Sequence, residues 1–244
     1  FASGDFGHAV LYEDFTPETV AVRAWWCCTL HGLRAFPDVH DSVFRQQRDN
    51  IFYDLPLDGK WKSQTAIIEA QSRLATDGKV RLVVENMAGS HSLTIRKPDW
   101  ADAVVVTTNG KHEPGLTAPL IKTGDEIVVK YTMNVRLATA ERTQTRPDRK
   151  ALSFGPWLLG ASSHDQAEYF NELYPDNQIA MESGRMPYPG GALPFAVPIA
   201  ATPASCIPAE FPGQPVKVEL RAVAEQTGYE PARWQTAFLV RAKS

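Results

Sequence analysis

The chain has 244 residues, of which 43% are hydrophobic and 22% charged, as is typical of a globular protein. Its formal net charge of -3 favours neither nucleic acid nor an acidic membrane surface as a partner. Every apolar run is far shorter than the roughly 20 residues that span a bilayer, so we expect no membrane span.

The residue pattern in the first part of the chain predicts a helix. Residues 1–24 have mixed character, and the sequence around Thr16 and Pro17 predicts a turn or a helix start. From residue 25 to about residue 44, apolar residues recur at intervals of three and four, which is the helical period. Pro37 falls inside this stretch and predicts a kink or a split in the helix.

After about residue 49 the pattern changes to short segments rich in β-branched residues. Turn signals such as Asp77-Gly78 and Asn109-Gly110 separate them. Many short strands at this spacing predict a mainly β fold, an antiparallel β-sandwich. The predicted strands are Asn50–Leu55, Ser63–Ala70, Lys79–Glu85, His91–Arg96, Val104–Thr108, Glu126–Tyr131 and Leu152–Leu158.

The last third of the chain is less regular. Residues 161–215 are rich in proline towards their end and predict a long loop with little regular structure. Strand patterning returns at residues 216–224 and 234–241, which we predict to be the last two strands.

The segment around Cys27 and Cys28 is the most unusual in the chain. Adjacent cysteines bridge poorly, and three cysteines are too few for a disulfide framework. His31 lies one helical turn after Cys27, on the same face, and thiolates are zinc ligands. A structural zinc site needs four ligands, however, and buried cysteines often act as small apolar residues. The residues alone leave both interpretations open.

A series of segments in this order resembles glycoside hydrolase family 127, the β-L-arabinofuranosidase-like enzymes. The segments are the Cys27-Cys28 pair with Arg34, then Asp49–Asp54, Lys79–Glu85, Leu93–Ala101, Val106–Gly110, Gly124–Ile127, Met133–Arg136 and Leu152–Trp157. The resemblance covers about residues 25–160. It implies an (α/α)6 barrel followed by β-sandwich domains.

The resemblance also implies roles for individual residues. Cys27 would be the catalytic nucleophile, and Cys27 and Cys28 would bind zinc. A covalent thioglycosyl intermediate would then be released by water with retention of configuration. The family's acid/base glutamate and its other zinc ligands precede the cysteine pair. His31 and Arg34 would contact substrate or act structurally.

We therefore expect residues 1–48 to be the end of the catalytic barrel and residues 49–244 to be the accessory sandwich. The parent protein would be a retaining glycosidase with a carbohydrate substrate, and this chain alone would be inactive. We expect it to associate with a missing N-terminal barrel or with another chain. The alternatives are a non-catalytic carbohydrate-binding module and a purely structural sandwich.

Overall fold

The computed structural model describes residues 26–139, 149–162, 178–180, 197–202, 216–222, 234–235 and 237–241, with side chains for 34–137 and 150–160. The chain divides into two compact units. One unit contains residues 30–134, and most of the other lies after residue 134.

The elements are mostly strands. The helices are Trp26–Asp41 (α1) and Leu74–Asp77 (α2). The strands in residues 30–134 are Phe44–Gln47 (β1), Asn50–Tyr53 (β2), Gly59–Lys62 (β3), Ala66–Arg73 (β4), Lys79–Met87 (β5), His91–Ile95 (β6), Ala103–Thr108 (β7), Lys111–His112 (β8), Thr117–Ile121 (β9) and Glu126–Thr132 (β10). The later strands are Val135–Thr139 (β11), Arg149–Phe154 (β12), Trp157–Ser162 (β13), Gln178–Ala180 (β14), Val197–Thr202 (β15), Val216–Ala222 (β16), Trp234–Gln235 (β17) and Ala237–Arg241 (β18).

The unit with residues 30–134 holds two sheets. One has four strands in the order β1-β2-β6-β9, and the other has six in the order β3-β4-β5-β10-β7-β8. All pairings in these two sheets are antiparallel except β2 with β6. Each sheet therefore turns alternate side chains to opposite faces, with one face available for a core.

Both sheets contribute to the core of this unit. In β5, Val80, Leu82 and Val84 are buried while Arg81 and Glu85 are exposed, so the strand has one buried and one solvent-facing side. The other fully buried side chains include two tyrosines and several branched aliphatic residues: Ile51, Tyr53, Ile68, Leu93, Ile95, Ile121, Ile127, Val129 and Tyr131. The antiparallel β-sandwich fold class is thereby confirmed for this part of the chain.

The other unit holds an eight-stranded sheet. Its order is β11-β12-β18-β14-β15-β16-β13-β17, with an additional pairing between β12 and β13. The pair β14–β18 is parallel, and the remaining pairs are antiparallel. Two of these strands, β14 and β15, lie inside the segment for which the sequence predicted a long loop.

A helix precedes the sheets, as the sequence predicts. It is continuous from Trp26 to Asp41 with Pro37 inside it, so the predicted split does not occur. The predicted turn or helix start at Thr16 and Pro17 lies outside the described residues. None of the described helices is long and apolar enough to cross a membrane. The assignment of residues 1–48 to a barrel and of residues 49–244 to a sandwich stays a prediction.

One predicted strand was wrong in its extent. The sequence predicted a single strand over Leu152–Leu158, whereas the chain turns sharply between β12 and β13, which pair as a hairpin. Gly155 has φ 56° at this turn, a left-handed conformation that glycine adopts without steric cost.

Three tryptophans pack against other aromatic rings. Trp61 stacks on Phe44 with ring centroids 5.6 Å apart. Trp100 packs against Tyr131 at 5.4 Å, and Trp157 against Phe154 at 6.5 Å. All three indoles are half-buried. Their rings therefore contribute apolar contact area to the fold.

Candidate functional site

The cysteine pair lies in the first helical turn of α1. Cys27 and Cys28 are the second and third residues of the helix, about 100° apart around its axis. His31 is four residues after Cys27 and Arg34 seven, so these three positions share one face of the helix. The backbone thus brings Cys27, Cys28 and His31 onto the N-terminal half of α1 and places Arg34 at the start of its second half. The side chains of Cys27, Cys28 and His31 lie outside the described residues.

The described residues do not by themselves make a zinc site. Among the residues that the structure describes, no group of three or more His, Cys, Asp and Glu side chains is placed to hold a metal ion. Two thiols fall short of the four ligands of a closed zinc site, or of the three that a catalytic site uses. The donor set does not fit zinc without further ligands, so we derive no catalytic step through the metal.

The second half of α1 is highly exposed. Every described helix residue from Arg34 to Asp41 is exposed, including Phe36 at 59% and Val39 at 42%. Arg34 forms no side-chain hydrogen bond or ion pair within the described part of the chain. A 16-residue helix is marginal in water by itself, and most helical stability in proteins comes from packing of an apolar face.

A second candidate site is an open groove on the outer face of the four-stranded sheet, with a volume of about 830 Å³. We call it the Arg45 groove. The residues that define it are Asp41, Arg45, Phe52, Asp54, Thr94 and Arg96. They come from the end of α1 and from β1, β2 and β6 or the residues directly after them.

Strand register assembles this groove. Arg45 on β1 pairs with Phe52 on β2, and Phe52 pairs with Thr94 on β6. The three side chains therefore stand in one row across the outer face. The backbone N–H of Arg96 donates to the carbonyl of Tyr53 at 3.0 Å, which extends the β2–β6 pairing by one residue.

The Arg45 guanidinium is fixed by two neighbours. Its Nε donates to Asp54 Oδ2 at 2.7 Å, and its Cζ lies 4.0 Å from the centroid of the Phe52 ring. The hydrogen bond from Arg45 to Asp54 raises the pKa of the guanidinium, which is charged throughout the physiological range. An ion pair held against a ring is more ordered than a typical surface pair.

A buried histidine forms a separate polar cluster. His91 is 6% exposed, with Nδ1 3.0 Å from the carbonyl of Ser90 and Nε2 3.0 Å from Thr65 Oγ1. Since a carbonyl only accepts, Nδ1 carries the proton in this arrangement, and Nε2 accepts from the Thr65 hydroxyl. Gln46 Nε2 donates to the same hydroxyl at 3.3 Å. Both ring nitrogens are satisfied, which assigns His91 a structural role.

Sequence reasoning missed the Arg45 groove altogether. Arg45 lies in none of the segments that resemble the family, and Arg96 lies 51 positions later in the segment Leu93–Ala101, where nothing marks it as a neighbour of Arg45. The parallel pairing of β2 with β6 is what brings the end of β6, which Arg96 follows, close to the β1–β2 pair that carries Arg45. The one available signal was the alternation of polar and apolar residues along His91–Arg96, which indicates an outer face but not its neighbours.

Residues 50–133 match the family model described as Beta-L-arabinofuranosidase, GH127 middle domain. The match begins with β2 and ends directly after β10, so it lies within the two-sheet unit. No curated protein matches the chain.

Solved structures share the fold of this chain, among them two GH127 enzymes. A GH127 β-L-arabinofuranosidase from Geobacillus stearothermophilus T6 matches with a TM-score of 0.61 and 16% identity over 88% of this chain. A second structure, a GH127 β-arabinofuranosidase, has a TM-score of 0.67 and 17% identity over 90% of the chain. A third, described as a glycoside hydrolase, has a TM-score of 0.63 and 18% identity over 89%.

This chain spans only 37% of the first of these structures and 40% of each of the other two. At such identities the structural likeness establishes the fold, and the family model adds a match in sequence over β2–β10. Residues 50–133 thus match a GH127 middle domain in sequence, and the chain resembles solved GH127 enzymes in fold.

Proposed function

We propose that this chain is the C-terminal part of a retaining glycoside hydrolase that acts on β-L-arabinofuranosides or related sugars. One observation carries the proposal: a sequence that matches the GH127 middle domain follows, after the short strand β1, on a helix that bears the Cys27-Cys28 pair. The proposed nucleophile is Cys27. The proposed partner is an N-terminal catalytic barrel, on the same polypeptide or on another chain.

The proposed reaction has two displacements at the anomeric carbon. The Cys27 sulfur forms a bond to that carbon while the bond to the leaving oxygen breaks and a general acid gives that oxygen a proton. Water then attacks the same carbon, its proton passes to the conjugate base of that acid, and the thiolate leaves. The two inversions together retain the configuration. The general acid is proposed to come from the barrel.

Zinc bound by Cys27 and Cys28 belongs to the same proposal. When bound, zinc keeps thiols deprotonated at neutral pH. The remaining ligands would have to come from residues outside the described part of the chain, and we propose the barrel as their source.

The exposure of α1 supports the proposed partnership. Phe36 and Val39 are exposed large apolar residues on a helix whose described side chains are all exposed. Packing against a helical barrel would remove their apolar surface from water, at a gain of roughly 25 cal/mol per Å². The same reasoning predicts that the isolated chain hydrolyses no glycoside.

The test is hydrolysis of an aryl β-L-arabinofuranoside by the whole protein that contains this chain. Cys27→Ser is expected to lower kcat by about 10⁴-fold or more, as loss of a nucleophile does in other hydrolases. Cys206→Ser is the matched control, because it removes the third thiol of the chain without touching the pair, and it should leave kcat unchanged.

The intact mass and the zinc content of the purified protein complete the test. A co-purifying upstream segment with one zinc per molecule supports the proposal. Undiminished hydrolysis by Cys27→Ser would overturn the nucleophile assignment. Hydrolysis by the 244-residue chain alone would overturn the need for a partner.

A further inference from the structure

The Arg45 groove has the volume and the polar side chains expected of a site that binds a small molecule. Its volume of about 830 Å³ falls within the roughly 300–1,000 Å³ range of pockets that hold small molecules. It lies on the outer face of a sheet, so its lining side chains are not needed for the core. Leu55 adds apolar surface beside its charged groups.

Part of the groove is pre-organised. Asp54 and Phe52 hold the Arg45 guanidinium as described above, and the Asp54 side chain is only 18% exposed. The Thr94 hydroxyl donates to Asn50 Oδ1 at 3.1 Å and lies 3.0 Å from the hydroxyl of Thr117, from which it accepts. A ligand would meet side chains that are already fixed, so it would lose little free energy in ordering them.

Other groups in the groove remain available. Arg96 is exposed, and its side chain forms no hydrogen bond or ion pair among the described residues. The outer edge of the Arg45–Asp54 pair still offers guanidinium N–H donors and carboxylate lone pairs. Adjacent planar donors and acceptors of this kind suit a vicinal diol, whose hydroxyls both donate and accept.

The charge of the groove selects among polar ligands. Arg45 and Arg96 carry two positive charges, and Asp41 and Asp54 carry two negative charges, so the lining is formally neutral. A phosphate or a uronate would gain little long-range attraction from such a lining. A neutral polyol would gain hydrogen bonds to charged groups, which are stronger than those between neutral groups.

We propose that the Arg45 groove is a binding site for a neutral oligosaccharide, separate from the cysteine pair on α1. Sugar hydroxyls bind to Arg45, Asp54 and Arg96, while the apolar face of a sugar ring lies towards Leu55. The site would hold a polymeric substrate near the enzyme. The inference rests on the proposed function only in the choice of an arabinose-based sugar.

The test is titration of the full 244-residue chain with arabinotriose. Calorimetry measures the binding, and changes in the NMR chemical shifts of the groove residues locate it. Saturable binding with shifts at Thr94 and Arg96 is expected. Arg96→Ala and Asp54→Asn should each weaken binding by roughly tenfold, since each removes a hydrogen bond to a charged group. Thr94→Val, which keeps the side-chain shape, should weaken it as well.

Arg81→Ala is the matched control. Arg81 forms an equally short ion pair with Glu126, at 2.6 Å, on the outer face of the six-stranded sheet, with a similarly exposed side chain. This variant should bind arabinotriose as the parent chain does. Equal loss in Arg81→Ala and Arg96→Ala would overturn the inference, provided that both variants unfold at the parent's denaturant midpoint.

Two further results separate this inference from the proposed function. Absence of arabinotriose binding, or binding of galacturonate or inorganic phosphate in its place, overturns the groove as a neutral-sugar site even where the whole protein hydrolyses arabinofuranosides. Groove binding that Cys27→Ser leaves unchanged supports the inference even where no hydrolysis is found.

Discussion

At the scale of single residues, two buried tyrosines link the stability of the sandwich to alkaline pH. Tyr53 and Tyr131 are each 1% exposed. The Tyr53 hydroxyl donates to the carbonyl of Leu57 at 3.0 Å. Burial raises the pKa of both phenols well above the ordinary value of about 10, because the phenolate would lose its hydration in the core.

The sign of the pH effect follows from these raised values. Below about pH 10 both tyrosines are protonated in the folded and in the unfolded chain, and their contribution to stability is complete. Above that pH the unfolded chain releases protons that the folded chain retains. The free energy of unfolding should therefore fall by up to about 1.4 kcal/mol per pH unit for each tyrosine.

The double variant Tyr53→Phe with Tyr131→Phe should show a shallower fall in stability above pH 10. At pH 7, loss of the Tyr53 hydrogen bond should cost about 0.5–1.5 kcal/mol. Urea unfolding between pH 8 and about pH 11 measures both effects. If the free energy of unfolding falls equally steeply with pH in the parent and in the variant above pH 10, the two phenols are not the cause of the fall.

At the scale of elements, a strand was predictable wherever apolar and polar residues alternate and turn residues flank the segment. β5, β6 and β10 lie within two residues of their predicted bounds. The short strands β3 and β8 were not predicted, because a strand of two to four residues has no recognisable period and is defined by its partner. β14 and β15 were not predicted either, because they lie in a stretch that is rich in proline towards its end and are defined by pairings with other parts of the chain.

The hairpin between β7 and β8 shows how local chemistry determines an element. Asn109 and Gly110 have φ values of 49° and 79°, the signature of a type I′ turn. The Asn109 side chain donates to Asp125 at 2.8 Å and accepts from the backbone of Glu126 at 2.9 Å. The turn is thus joined to the start of β10.

Gly110→Ala should destabilise the domain by about 1–2 kcal/mol, the cost of a Cβ in the left-handed conformation. No atom lies within 4 Å of the added Cβ, so the cost would be conformational and not steric crowding. Gly115→Ala is the control, because its surroundings are equally open and its φ is not positive. That change should be neutral or slightly stabilising. Equal losses in both variants, measured by urea unfolding, would contradict this account.

At the scale of the whole molecule, the fold class was predictable and the sites were only partly so. The cysteine pair was found from its resemblance to a family, because adjacent cysteines have two interpretations on spacing alone. The Arg45 groove depends on the register between β1, β2 and β6, which a single sequence does not encode in any local pattern.

The two-sheet unit should fold without the rest of the chain. The buried residues between Val43 and Met133 come from both of its sheets, and the family match falls within the same span. We expect a fragment of residues 43–134 to show one cooperative thermal transition, as small single domains do. Circular dichroism and one-dimensional NMR check this. A broad transition without dispersed resonances would mean that the core needs the later strands.

The edges of the two sheets have a consequence for behaviour at high concentration. The outer strands of the six-stranded sheet are β3, with Lys60 and Lys62, and β8, with Lys111. The outer strands of the four-stranded sheet are β1, with Arg45, and β9, with Pro119. Positive charge or proline on an open edge disfavours the docking of a strand from another molecule. These edges should protect the domain from amyloid-like assembly, although its sheets are open on both sides.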